Sequence, residues 1–128
     1  ELDITKISEE DRKMIPEQVK MYHTYNDLVR EGDYYRIASY RENHYFDCYE
    51  VVAKDKSEAL VTYVQVLNRP NYHSRTICLK GLDPEKRYKL EGAENERVYL
   101  GDTLMNAGIR MENLWGDYKG RLLHFVEA

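Results

Sequence analysis

Ala59-Leu60-Val61-Thr62-Tyr63-Val64-Gln65-Val66-Leu67 is the stretch on which the fold turns. Apolar and β-branched residues occupy both of its alternating faces. A strand with one wet face would alternate apolar and polar, whereas a strand packed on two sides reads as a continuous run. The stretch therefore predicts a central strand over 57–67. Before it, Lys54-Asp55-Lys56 is a charged turn, and 45–53 reads as the strand leading into that turn. Tyr34 to Ile37 reads as a shorter strand. After it, Asn68, Pro70, Asn71 and Ser74 mark 68–74 as a loop.

Farther along, Thr76 to Lys80 predicts a strand, ended by Leu82-Asp83-Pro84-Glu85. Proline there has its φ pre-set for the first central position of a turn, and the aspartate before it favours the same turn. Arg87-Tyr88-Lys89-Leu90 alternates polar and apolar. Gly92 and Asn95 mark another turn, and Arg97-Val98-Tyr99-Leu100 is the returning strand. Residues 75–100 are thus expected to form a three-strand meander. Asp102 is the expected N-cap of one helical turn over Thr103–Ala107, with Gly108 as its terminator and Leu104 and Met105 as core plugs. Ile109 to Met111 is a short strand, Trp115-Gly116-Asp117-Tyr118 a turn, and Arg121 to Val126 the last strand.

The first third follows a different period. Ile15, Val19, Tyr22, Leu28 and Val29 recur at helical steps, with Tyr25 or Asn26 between them. Ser8 with Asp11 has the spacing of a capping box, and Glu9, Glu10 and Asp11 suit the positive end of the helix dipole. Gly32 is the expected stop. The helix should run from about residue 9 to about residue 31, kinked or split near 15–16 by Pro16, which has no backbone proton to donate. The expected fold is mainly β: an antiparallel β-sandwich of about seven to eight strands preceded by one long N-terminal helix. The expected organisation is a helical segment over 1–33 and the sandwich over 34–128.

Bulk properties exclude several functions. The 128 residues suit one domain, and 19 basic against 23 acidic residues leave a net charge of −4. Such a surface repels nucleic acid phosphates. Apolar runs are too short to span a membrane, no signal-peptide pattern opens the chain, and the start at Glu1 reads as that of an excised or processed piece. Cys48 and Cys78 read as two buried free thiols, with a single bridge as the alternative; free thiols suit a reducing cytoplasm.

Catalytic equipment is sparse. His23, His44, His73 and His124 are scattered, without the pattern of a zinc site, and no phosphate loop or nucleophile elbow is present. No metal or cofactor is expected. Asp47, Asp55, Asp102 and Asp117 are the acids nearest strand ends, but Asp55 and Asp102 have turn and cap explanations, and Asp117 can pair with Arg121. The 12 tyrosines suit half-buried strand positions, and only some are candidates for stacking on sugar rings. Trp115 beside Tyr118 is the best such candidate; a core or interface tryptophan is the plainer alternative.

Several segments, in order, resemble the C-terminal region of bacterial α-galactosidases of glycoside hydrolase family 36. They are Leu28-Val29-Arg30-Glu31-Gly32-Asp33-Tyr34-Tyr35-Arg36-Ile37, Asp55-Lys56-Ser57-Glu58-Ala59-Leu60, Leu79-Lys80-Gly81-Leu82-Asp83-Pro84 with Tyr88, Gly101 through Gly108, and Gly116-Asp117-Tyr118 with Arg121-Leu122. The resemblance implies a C-terminal β-sandwich after a catalytic (β/α)₈ barrel in the same polypeptide. It implies a retaining hydrolysis of terminal α-galactosides, such as raffinose-type oligosaccharides, by two barrel aspartates. Neither aspartate's motif occurs in this chain, so no catalytic residue carries over. The implied role is that of a non-catalytic accessory domain in a cytoplasmic enzyme. It would cover the barrel and could support a homo-oligomer through the parent enzyme, without nucleic acid or membrane partners. The alternatives are a carbohydrate-binding module using exposed Tyr and Trp, and a small free-standing glycosidase.

Overall fold

A computed structural model describes residues 3–71, 74–93, 97–112 and 114–128. Helix α1 spans Glu9–Glu31. Its start is the expected one: Ser8 Oγ accepts the Asp11 backbone N–H at 3.0 Å and donates to Asp11 Oδ2 at 2.6 Å. Gly32 N–H closes the last turn on the Leu28 carbonyl at 2.8 Å. The helix is not split at Pro16; it continues through as one element, at the cost of one missing backbone donor. Ser8→Ala should weaken the first turn by about 1 kcal/mol. The check is hydrogen exchange, expected to quicken at the amides of the first turn and to stay unchanged in the sheet; equal rates in variant and parent would exclude the cap.

The remaining elements are β1 (Asp33–Ala38), α2 (Tyr40–Asn43), β2 (Phe46–Val52), β3 (Glu58–Gln65), β4 (Thr76–Ile77), β5 (Arg87–Leu90), β6 (Val98–Leu100), α3 (Gly101–Asn106), β7 (Ile109–Arg110) and β8 (Lys119–Glu127). Six strands form one antiparallel sheet in the order β1-β2-β3-β8-β5-β6, and β4 with β7 forms a second, two-stranded sheet. The expected mainly β architecture, with one long N-terminal helix, is therefore present. β3 is central as expected, paired along its whole length with β2 on one side and β8 on the other.

Strand periodicity sorts the two faces of the large sheet. Cys48, Val52, Ala59, Val61, Tyr63, Tyr88 and Phe125 face the main core. Ile77, Leu79, Leu82, Leu104, Ile109, Met111 and Leu114 cover them from the side of the small sheet and α3. The opposite face carries Val51 and Leu60, which pack on Leu28 and Tyr25 of α1. Leu28 is the one buried residue of α1. Met14, Val19, Met21, Tyr22 and Val29 are 46–60% exposed, so much of the apolar stripe is left uncovered by the described residues.

The three-strand meander does not form. β5 and β6 pair as a hairpin beside β8, whereas β4 leaves for the small sheet. The reason lies in where the backbone bonds go. Leu79 N–H donates to the Leu104 carbonyl at 3.0 Å, and Lys80 N–H to Glu50 Oε2 at 2.9 Å, so neither is left for a strand neighbour. Asp102 is not an N-cap either. Gly101 and Asp102 N–H are taken by the carbonyls of Lys86 (2.8 Å) and Pro84 (3.1 Å), and the Asp102 carboxylate instead accepts from Asn106 Nδ2 at 2.8 Å. Gly108 does terminate α3: its φ is +78° and its N–H returns to the Thr103 carbonyl. Leu104 is fully buried and Met105 partly so. The Asp83-Pro84 turn is tied down by Tyr88, whose buried hydroxyl accepts from Asp83 N–H at 3.1 Å and donates to the Lys56 carbonyl at 2.9 Å. Gly92 has the expected left-handed turn geometry at φ +72°, while Asn95 lies outside the described residues.

Candidate functional site

The turn carrying Trp115 and Tyr118 is held from both sides. Gln65, the last residue of β3, donates from Nε2 to the carbonyls of Leu114 (2.7 Å) and Gly116 (2.8 Å). Asp117 Oδ1 accepts from Asn68 N–H at 2.7 Å, and Tyr118 N–H donates to the Val66 carbonyl at 3.1 Å. The expected Asp117–Arg121 pair is therefore absent: the Asn68 amide engages Asp117, and Arg121 reaches Glu112 instead at 3.3 Å. On this fixed turn Trp115 is 82% exposed and Tyr118 77%. Trp115 forms part of a cleft of about 250 Å³, together with Tyr63, Gln65, Arg75 and Glu112. Tyr118 is not among its walls. The two aromatic residues singled out from sequence thus share a turn but not a cleft.

Sequence reasoning missed the polar floor of that cleft. The Arg75 guanidinium lies 3.8 Å over the Phe46 ring and donates to the Tyr63 hydroxyl at 3.2 Å. Gln65 is the residue whose signal was available, because a lone amide ending an apolar strand needs a polar partner.

The acids near strand ends have local work. Asp47 accepts the Tyr40 N–H at 2.9 Å and lies 3.6 Å from Arg36, and Asp55 Oδ1 accepts the Ser57 N–H and hydroxyl. The carboxyl held below its ordinary range at Asp55 owes this first to the Ser57 hydroxyl. One acid departs from this pattern. Glu50 is fully buried in the main core, with Oε2 on the Lys80 N–H and Oε1 without a partner among the described residues. Burial pushes its carboxyl up to about 7, against the opposing pull of the Lys80 amide and ammonium.

His124 is a satisfied structural histidine. Its Nε2 lies 2.7 Å from Glu58 Oε2 and its Nδ1 2.9 Å from Glu91 Oε2, and Tyr25 of α1 meets its ring edge-on at 5.1 Å. His44 closes α2 with a left-handed φ of 62°, His23 stacks edge-on with Tyr22, and His73 lies outside the described residues. Among the described residues no group of three or more His, Cys, Asp or Glu could hold a metal ion, and no helix is long and apolar enough to cross a membrane. Both cysteines are free thiols. Cys48 is buried, its thiol pushed up to about 12 by burial and by Glu50, whereas Cys78 is exposed rather than buried. Cys78 sits outward because Ile77 and Leu79 on either side of it face the core.

Comparison with known proteins agrees with this architecture. The chain is 39% identical over 118 residues to α-galactosidase AgaA of Geobacillus stearothermophilus, covering 92% of this chain and 16% of that protein. It is 34% identical to α-galactosidase Mel36A of Lactobacillus acidophilus, covering 98% of this chain and 16% of that protein. The crystal structure of AgaA superposes over the whole chain and 17% of that protein, with a TM-score of 0.90 at 36% identity. An α-galactosidase from Lactobacillus brevis superposes with a TM-score of 0.89 at 31% identity, over the whole chain and 18% of that protein. The chain thus spans about a sixth of the length of these relatives. Residues 46–125, from the first residue of β2 almost to the end of β8, match the model of the glycosyl hydrolase family 36 C-terminal domain, and to that family the chain belongs.

Proposed function

We propose that the chain is the non-catalytic accessory domain of an α-galactosidase. In this reading a catalytic barrel in the same polypeptide cleaves terminal α-galactosides, such as raffinose-type oligosaccharides, with two aspartates that lie outside residues 1–128. The observation that carries the reading is the apolar stripe of α1. Met14, Val19, Met21, Tyr22 and Val29 stand in water while Leu28 alone is buried. A surface of this kind marks a contact with another element. Residues 1–33 then act as a helical segment shared with the barrel, and 34–128 as the sandwich that covers it and supports subunit contacts in a homo-oligomer. The local engagement of these four acids supports the same reading: Asp47, Asp55 and Asp117 accept backbone N–H groups of loops and turns, and Asp102 accepts from Asn106 within α3. The two free thiols fit a cytoplasmic enzyme.

The purified chain should show no turnover of an aryl α-galactoside. Turnover that co-purifies with the chain and survives rigorous removal of contaminating enzyme would overturn the assignment. A second reading, sugar binding without catalysis, is favoured by the exposure of Trp115 on its held turn.

A further inference from the structure

β8 presents His124 on the face of the large sheet that receives α1, directly opposite Leu60 of β3. Leu60 packs on Leu28, and Tyr25 meets the His124 ring edge-on at 5.1 Å. These contacts lie towards the C-terminal end of α1. From Pro16 to Thr24 every residue of the helix is exposed. Helices in proteins owe most of their stability to tertiary packing. The hold of the sheet on α1 is therefore concentrated at Tyr25 and Leu28, and His124 stands against the first of them.

Two acids from different parts of the sheet fix the ring. Its Nε2 lies 2.7 Å from Oε2 of Glu58, which opens β3, and its Nδ1 lies 2.9 Å from Oε2 of Glu91, just past β5. An ionised carboxylate only accepts hydrogen bonds, whereas neutral imidazole carries one N–H and imidazolium carries two. Both contacts are hydrogen bonds only while the ring is charged. Once its proton leaves to water, one ring nitrogen turns a lone pair on a carboxylate oxygen. Two negative charges then share the site with no cation between them. The His124 side chain is only 12% exposed, whereas that of Glu91 is 52% exposed and can swing into water. The ring, held from one side only, then leaves the orientation that meets Tyr25. Its neighbours on this face of β8 are Leu122 and Val126, and Lys89 of β5 stands opposite Val126. Among the described residues neither Lys89 nor any other cation besides His124 pairs with Glu58 or Glu91.

We propose that His124 is a proton-operated latch for α1. With the ring charged, Glu58 and Glu91 clamp it against Tyr25, and the last turns of the helix are held on the sheet. Loss of the ring proton opens the clamp and loosens Tyr25 to Glu31. Protonation of the two glutamates in acid opens it as well, so the latch is shut between the titration of the carboxylates and that of the ring. It needs nothing of the α-galactosidase assignment, because every group in it belongs to this chain.

NMR of the whole chain follows the ring and the helix together. On the acid side of the His124 titration, with the glutamates ionised, both ring N–H protons should be observed. Amide exchange at Tyr25 to Glu31, corrected for the intrinsic effect of pH, should quicken as the ring loses its proton. The expected change is about tenfold relative to the amides of β3, whose rates follow the stability of the sheet. His124→Gln, which has no charge to gain, should show the fast rates at every pH. Glu91→Gln should show the slow ones, because its amide accepts from the charged ring and donates to the neutral one. Opposite behaviour of the two variants separates a latch from a contact that merely supports the fold. Exchange in α1 that ignores the ring titration, a single ring N–H in place of two, slow exchange in His124→Gln, or a pH response that survives in Glu91→Gln would each overturn the proposal.

Discussion

Gly101→Ala is expected to cost at least about 3 kcal/mol, a large part of the stability of a domain this size. Gly101 is buried at the first turn of α3. A Cβ there would overlap the Asp83 carbonyl oxygen, stand 2.9 Å from its carbonyl carbon and meet Tyr88 Cε2 at 3.1 Å. Backbone cannot move aside as a side-chain end can. The Asp83 carbonyl belongs to the turn that Tyr88 ties to Lys56 across the core. Separating α3 from that turn also breaks the bonds of Gly101 and Asp102 N–H to Lys86 and Pro84. Gly92→Ala is the matched control: its Cβ meets nothing within 4 Å among the described residues, but φ is +72°, so the left-handed penalty of about 1–2 kcal/mol applies. Urea midpoints of the two variants measure the difference. Equal midpoints would show that α3 does not depend on the close approach at Gly101.

Glu50→Gln is expected to abolish a fall in stability between about pH 4.5 and 7. Burial raises the folded-state pKa of Glu50 from an ordinary 4.5 to about 7. Between those values the native protein keeps a proton that the unfolded chain has released, so stability declines as pH rises through the window and levels off above it. The decline from this group amounts to about 3 kcal/mol. Glutamine cannot ionise, and its amide oxygen can still accept the Lys80 N–H. The difference in unfolding free energy between variant and parent should therefore grow in the variant's favour by about 3 kcal/mol from mildly acid to mildly alkaline solution. Denaturation at a series of pH values checks this; the same slope in both proteins would mean that Glu50 is not the responsible group.

Local features of the fold were legible in the sequence. The Ser8 cap, the Gly32 stop, the double-sided run of β3 and the Gly108 terminator are each set by residues within a few positions of one another. What was not legible depends on distant partners. Thr76 to Lys80 alternates like a meander strand, but Leu104 and Glu50 claim the backbone groups of Leu79 and Lys80. Asp102 has the chemistry of a cap, yet α3 already begins at Gly101, so Asp102 stands inside the first turn and its carboxylate accepts from Asn106 instead. Cys78 was expected inside because strands favour small residues inside, and it faces out because its neighbours claim the core. Glu50 was overlooked although the signal is there: in Phe46-Asp47-Cys48-Tyr49-Glu50-Val51-Val52 it shares the phase of Cys48 and Val52, both fully buried. At the cleft, the aromatic platform was visible as Trp115, but its support by Gln65 spans 49 and 51 residues of sequence and no local pattern announces it.

The placement of β8 between β3 and β5 carries a consequence for synthesis. The eighth strand in chain order is the one that joins the β1-β2-β3 unit to the β5-β6 hairpin. While a ribosome is still making the chain, both units exist with an unpaired edge, and the Phe125 side chain that fills the centre of the core has not yet been made. Pairing across so long a stretch of chain is slow to nucleate, and open strand edges invite misassociation in the interval. A nascent polypeptide stalled before Lys119 should therefore be a client for chaperones, and release of the last strand should be the event that ends that dependence.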